Sequence, residues 1–248
     1  MGQNKDNEQL AALAEFVDDG LIGDVLGVVK SGKEATVYCC SGGARSTAAL
    51  LAAKVYRSRD VRRFGDDAMY QEGRLRRRTR VSRAIENKSR KGREFAFGAW
   101  VTAEYSTLAL LHRAGADVPE PIAQSAHVIV MEYIGEEGEP APPLSSVRLE
   151  RGEAERVFGV IMRNVELALS LDRVHGDLSA FNVLYRDDGQ VRIIDFPQAV
   201  DARFNTSALT LLERDIENVL GYLRRFGVEA DASRIARGLW TRFLRSEL

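Results

Sequence analysis

Val174-His175-Gly176-Asp177-Leu178-Ser179-Ala180-Phe181-Asn182-Val183-Leu184-Tyr185, followed by Val191-Arg192-Ile193-Ile194-Asp195-Phe196, is the stretch on which the reading of this chain turns. An acid at 177, an amide five residues on and a second acid at the end of a short apolar strand can converge on one phosphate-bound metal cluster. The spacing His-x-Asp-x4-Asn with a further acid beyond it is that of a phosphotransfer loop. Asp177 is the candidate catalytic group, accepting the proton of an incoming hydroxyl or positioning it. Asn182 and Asp195 are candidate metal ligands, hard oxygen donors suited to Mg²⁺. His175 reads as a hydrogen-bonded brace of the loop, because the acid lies nearer the phosphate. The bland alternative is that His175, Asp177 and Asn182 only turn and cap a loop. Against it stand the long helical segment before the loop and the strand ending in Ile194-Asp195 after it.

Upstream, Glu150 to Leu171 has a helical apolar period with Val157, Val160, Ile161, Val165, Leu167, Leu169 and Leu171 largely inward. Downstream, Ser207 to Phe226 and Ala232 to Leu244 read as two more amphipathic helices. About eleven residues separate Asp195 from the first of these, little room for a segment that docks peptides. In the N-terminal half, Val25 to Val29, Ala35 to Cys40 and Leu50 to Tyr56 are short apolar runs separated by Gly and Ser, as in an antiparallel meander. Ile122 to Gln124 and His127 to Tyr133 complete about five strands. Asn7 to Asp19 reads as a helix with Leu10, Leu13, Ala14 and Val17 inward, Asn7 as cap and Gly20 as stop.

Between the first two runs, Ser31-Gly32-Lys33 puts a glycine in a tight turn where backbone N–H groups can approach phosphates. An ordinary hairpin is the competing reading. Placement favours the phosphate role, because Lys54 follows on the third run, where an inward lysine would reach the α- and β-phosphates of ATP. Such a lysine needs a counter-charge, and Glu104, on a helix expected from about 94 to 114 with Phe97, Trp100, Val101, Tyr105, Leu108, Leu110 and Leu111 as its apolar stripe, is the candidate. Glu132 to Ile134 are expected to offer backbone groups to a purine, with Met131 either at the edge of the base pocket or a plain core residue.

The 248 residues, 45% hydrophobic, suffice for two small lobes with a proper core. The formal charge of −1 hides an asymmetry: residues 57–93 hold 14 Lys and Arg against 5 Asp and Glu, a net of +9. That block suits a polyanion such as RNA, or a solvated loop. Cys39 and Cys40, adjacent on a strand, point to opposite faces, which excludes a disulfide framework. No apolar run approaches the roughly 20 residues of a membrane span, and Met1 to Asp19 lacks the order of a secretory signal. The expected location is therefore the cytoplasm, with no membrane partner.

These motifs resemble, in order, those of the RIO family of atypical serine/threonine protein kinases and ATPases, over roughly 24–226. Ser31 to Tyr38 looks like that family's phosphate loop, and the basic block after Lys54 like its flexible loop. Trp100 to Tyr105 is similar to its αC segment, Met131 to Pro142 to its hinge, and His175 to Asn182 to its catalytic loop. The resemblance implies an α+β, two-lobed protein-kinase-like fold. It would comprise an N-terminal lobe over 1–134, with antiparallel sheet, basic loop at about 57–93 and αC helix, a hinge at 135–146 and a mainly helical lobe over 147–248. It further implies ATP with Mg²⁺, or Mn²⁺, as cofactors, and serine autophosphorylation or ATP hydrolysis in a family associated with ribosome maturation. Ser58, Ser82 and Ser89 are candidate phosphoacceptors, and Asp195 a candidate for an aspartyl phosphate.

Three departures bear on this. Ser179 stands where ordinary protein kinases carry lysine, as the family has it, so transition-state charge must be met otherwise, with Lys33 as the candidate. Asp195-Phe196-Pro197-Gln198 resembles one subfamily while the phosphate loop resembles another. The activation loop and the peptide-docking segment are lacking. Two other readings remain open: a small-molecule kinase of the aminoglycoside-phosphotransferase type, and a nucleotide-timed RNA-binding assembly factor.

Overall fold

A computed structural model of the chain describes residues 9–57, 90–186 and 188–248, and the side chains of the helix at 90–113 from Phe97 onward. Ser58, Ser82, Ser89 and the basic block between Arg57 and Arg90 lie outside the described residues. Two compact units emerge. The first holds the described residues 9–57, 90–105 and 120–140, the second 106–119 and 141–248.

The first unit is built on a five-stranded sheet of β1 (Ile22–Ser31), β2 (Ala35–Gly42), β3 (Leu50–Tyr56), β4 (Pro121–Gln124) and β5 (Val128–Glu132). Its order is β1-β2-β3-β5-β4, with every neighbouring pair antiparallel. β4 takes the edge, the position where the missing N–H of Pro121 removes nothing from the ladder. Period-2 alternation sorts β3 onto two faces. Leu51, Ala53 and Val55 pack with Tyr38, Cys40, Val128 and Val130 against Leu13, Phe16 and Ile22. On the other face, Tyr56 and Ile129 are covered by Phe97 and Val101 of α2 (Arg90–Arg113).

The N-terminal helix differs from its reading. Ala12 N–H donates to Gln9 O and Leu13 N–H to Leu10 O, a tight three-residue turn that interrupts the helix and leaves only α1 (Ala14–Asp18) beyond it. Tightening shifts the helical phase, so Leu13 and Phe16 become buried while Leu10 and Val17 are 41% and 40% exposed. The segment read as a hinge begins with regular structure. β6 (Gly135–Glu136) and β7 (Glu139–Pro140) pair as a small hairpin within the first unit. Gly138 at φ +79° supplies its turn.

The second unit contains α3 (Arg151–Ser170), α4 (Ala208–Leu223) and α5 (Ala232–Leu244), with short 3₁₀ turns at Leu144–Ser146 and Arg224–Phe226. α4 buries Leu211, Leu212, Ile216, Val219, Leu220 and Leu223. The N-terminus of α5 is capped by Asp231, which accepts from Arg234 N–H at 2.9 Å, and farther along it Trp240 and Phe243 lie 5.2 Å apart. Residues 106–119, read from sequence as part of the first lobe, belong here. The reason is Asp117: its N–H donates to Asn164 Oδ1 at 2.7 Å, its carboxylate accepts from Asn164 Nδ2 and Arg163 Nη2, and its carbonyl accepts from Ile193 N–H at 2.8 Å. Two minimal ladders frame the loop at 175–182: β8 (Arg173–Val174) with β11 (Val200–Asp201), and β9 (Val183–Tyr185) with β10 (Val191–Ile193). Among the described residues no helix is long and apolar enough to cross a membrane.

Candidate active site

In the first unit, Lys54 sits on the same face of β3 as Tyr56, two residues on. Its Nζ lies 2.8 Å from Glu104 Oε1, with the two residues only 9% and 5% exposed. Tyr56 donates its hydroxyl to the other oxygen, Oε2. Burial, then the charge of Glu104, pushes the Tyr56 phenol well above its ordinary range, so it stays a donor. Trp100 stands edge-on to Tyr56 at 4.9 Å and Phe97 at 6.3 Å. This aromatic contact fixes α2 over β3 and so sets the reach of Glu104.

The turn after β1 is closed by Gly32 N–H donating to Ala35 O at 2.9 Å. Gly32 is not left-handed, and a Cβ there would meet nothing closer than Ala35 O at 3.5 Å. The chain's own conformation therefore does not demand glycine. Beside it, Ser31 Oγ accepts from Arg57 Nη2 at 2.7 Å. Behind the turn, Cys39, Ala52 and Tyr133 form a buried apolar cluster flanked by Val29, Val37, Leu50 and Met131. Glu132 N–H donates to Glu120 O at 2.8 Å, and Ile134 is buried. The expected base-binding segment thus starts at the last residue of β5 and runs two residues beyond it.

In the second unit the loop is held by its own backbone. Gly176 has φ +81°, a left-handed turn that suits glycine. Asp177 N–H donates to His175 Nδ1 at 3.3 Å, and Asp177 O accepts from Asn182 Nδ2 at 2.9 Å. With Nδ1 accepting, the His175 proton sits on Nε2 and is donated to Ile194 O at 3.1 Å. Ile194 N–H in turn donates to Asn182 O at 2.9 Å. His175 is the brace that the sequence suggested, tying the loop to the residue before Asp195. Asp195 has φ +72°, a strained value that aspartate tolerates better than most residues. Partial burial and the negative charge of Asp195 push the Asp177 carboxyl up, against the opposing pull of Arg214 and Asn182.

Helix α4 supplies what the sequence reading missed. Asp215, 1% exposed, accepts from Gly176 N–H at 2.7 Å on Oδ2 and from Leu178 N–H at 3.0 Å on Oδ1. Arg214 donates to Gly176 O, and Asn218 Nδ2 donates to Leu178 O at 3.2 Å. The legible signal was an acid at a core position, in register with Leu211, Leu212, Ile216 and Val219. Burial raises the Asp215 carboxyl to about 7, with the two N–H donors pulling the other way. Raised above its unfolded value, this group adds stability that is complete below the ordinary carboxylate range and lost as pH rises through about 7. The stability difference between the unsubstituted chain and Asp215→Asn is therefore expected to grow in favour of the former as pH falls from 7.5 to 5. Melting temperatures across that range check it, and a difference independent of pH would refute it.

The donor set fits a hard divalent cation. Asn182 commits its amide nitrogen to Asp177 O, which turns Oδ1 away as an oxygen donor, and Asp195 offers a carboxylate. Among the described residues no three His, Cys, Asp or Glu side chains gather into a metal cage. Oxygen donors of this kind suit a hard cation better than a soft one.

Comparison with known proteins bears on the whole arrangement. A model of the RIO domain family matches residues 36–235. RIO-type serine/threonine-protein kinase Rio1 of Haloferax volcanii is 36% identical over 229 residues, covering 91% of this chain and 72% of that protein. Serine/threonine-protein kinase RIO1 of Caenorhabditis elegans is 32% identical over 217 residues, 87% of this chain and 40% of that protein. The human protein of the same name is likewise 32% identical, with 36% of its length covered. The chain thus spans less than half of these two animal relatives.

Proposed function

The chain belongs to the RIO family of serine/threonine-protein kinases, and from that premise we propose that it transfers the γ-phosphoryl group of MgATP to a serine hydroxyl, its own or another protein's, or to water. One observation carries the reading: Asp177 is held by its amide and its carbonyl in a loop whose other end is tied by hydrogen bonds to the residue before Asp195. Asp177 orients the acceptor hydroxyl and takes its proton. The acceptor oxygen bonds to the γ-phosphorus as the bond to the bridging oxygen breaks, and ADP leaves. Lys54, oriented by Glu104, neutralises non-bridging phosphate oxygens, while Ser31, Gly32 and Lys33 present the phosphate turn. Met131, Glu132 and Ile134 border the base. Asn182 and Asp195 hold the metal, which when bound neutralises phosphate charge. Manganese would fit the same donors.

The acceptor decides the reading. Incubation with γ-labelled ATP, followed by separation of phosphoprotein, phosphorylated small molecules and free phosphate, is expected to place label on protein serine and in free phosphate. Label confined to a small molecule would overturn the protein-kinase assignment. The +9 charge over residues 57–93 supports a polyanionic partner such as ribosomal RNA. Binding insensitive to salt, or unchanged when Arg76, Arg77 and Arg78 are neutralised, would count against that partner.

A further inference from the structure

Phosphoryl transfer concentrates negative charge around the reacting oxygens, and ordinary protein kinases answer it with a lysine two residues after the loop acid. Here that position is Ser179. In the second unit Arg173, Arg192 and Arg203 are engaged by Asp201, Asp117 and Asp172. Arg214 meets the loop itself. From the exposed side of α4 its guanidinium donates to the carbonyl of Gly176, the residue immediately before Asp177, and its charge acts on both Asp177 and Asp215.

We propose that Arg214 is a positioning residue for phosphoryl transfer: its guanidinium fixes the Gly176–Asp177 peptide and supplies from α4 the cation that this loop lacks at Ser179. The assignment rests on the proposed MgATP chemistry and adds a residue to it.

The neighbouring contacts separate this role from simple loop anchoring. Asp215 holds Gly176 N–H and Leu178 N–H, and Asn218 holds Leu178 O. Residues 176–178 thus stay docked on α4 by three hydrogen bonds when Arg214 is truncated. Loss of the guanidinium removes the contact to the Gly176 carbonyl and a charge, and leaves these three hydrogen bonds standing. A shift of the loop acid on the scale of an ångström is enough to slow a reaction by about 100-fold.

The test is a comparison of the unsubstituted chain with Arg214→Gln, Arg214→Lys and Arg214→Ala, measuring kcat and KM for MgATP, melting temperature, and rescue by added guanidinium. Arg214→Gln is expected to lower kcat by about 10- to 100-fold with KM and melting temperature little changed. Arg214→Lys, a point charge without the fork, should fall between. Millimolar guanidinium should restore part of the turnover of Arg214→Ala. Wild-type kcat in Arg214→Gln would overturn the assignment. So would a loss of kcat that tracks a lowered melting temperature and does not respond to guanidinium. Absence of Mg²⁺-dependent turnover in the unsubstituted chain would instead overturn the proposed function, and this inference with it.

Discussion

Asp177→Ala is expected to lower turnover by about 10²- to 10⁴-fold while MgATP binding survives, whereas Asp195→Ala is expected to remove Mg²⁺-dependent ATP binding itself. The split follows from placement. Asp177 is exposed, with its amide and carbonyl spent inside the loop, so its carboxyl, which also draws on the Asn182 side chain, is the part presented to an acceptor. In the proposed reading Asp195 would provide the charged oxygen of the metal site, beside the amide oxygen of Asn182. Its backbone adds a complication, because alanine at φ +72° is strained by roughly 1–2 kcal/mol. Asp195→Asn, which tolerates that conformation and keeps an oxygen, serves as the control. Titration calorimetry with and without Mg²⁺, beside a labelled-ATP assay, measures both effects. Undiminished autophosphorylation in either alanine variant would remove the acid–metal assignment.

The second large effect concerns stability. Glu104→Ala leaves the ammonium of Lys54, 9% exposed, without its anion and deprives the buried Tyr56 hydroxyl of its acceptor. Breaking a buried pair from one side costs about 3–5 kcal/mol, and urea unfolding should report a loss of that size. The double variant Lys54→Met, Glu104→Leu is expected to recover part of it, since an apolar pair does not carry the desolvation cost of two charges, while the Tyr56 hydroxyl still lacks the Glu104 acceptor. ATP affinity should not return, because the phosphate-facing cation is gone. Unfolding of Glu104→Ala within about 1 kcal/mol of the unsubstituted chain would mean that the pair behaves as an exposed one.

Much of this was legible because it is local. The meander is written in β-branched runs separated by glycine, and residues 175–196 in the spacing of acids and amide. Lys54 and Glu104 could be matched across 50 positions only because each sits in a motif that expects the other. Asp215 carries no such motif. It lies on a helix whose polar residues read as solvated, and only its phase among leucines and isoleucine marks it as buried. Arg214 and Asn218 were hidden for the same reason, since a helix written alone does not say which loop it will meet. The N-terminal helix failed differently: the turn at Gln9–Leu13 moves the phase by a fraction of a residue per turn, which a periodicity count over thirteen positions absorbs without trace. Asp117 shows the limit for boundaries. Four hydrogen bonds made by one residue of a connecting segment, one of them also an ion pair with Arg163, decide which unit that segment joins.

The two tryptophans of the chain fall one to each unit. Trp100 stands against Tyr56 and Phe97 beside the Lys54–Glu104 pair, and Trp240 lies on α5 near Phe243. Each is therefore an intrinsic optical reporter of its own surroundings. With Trp240 replaced by phenylalanine, indole emission follows the packing of α2 on the sheet. With Trp100 replaced, it follows the helical unit that carries Asp177. Denaturation of the pair of single-tryptophan proteins, read at one wavelength, distinguishes units that melt together from units that melt in succession.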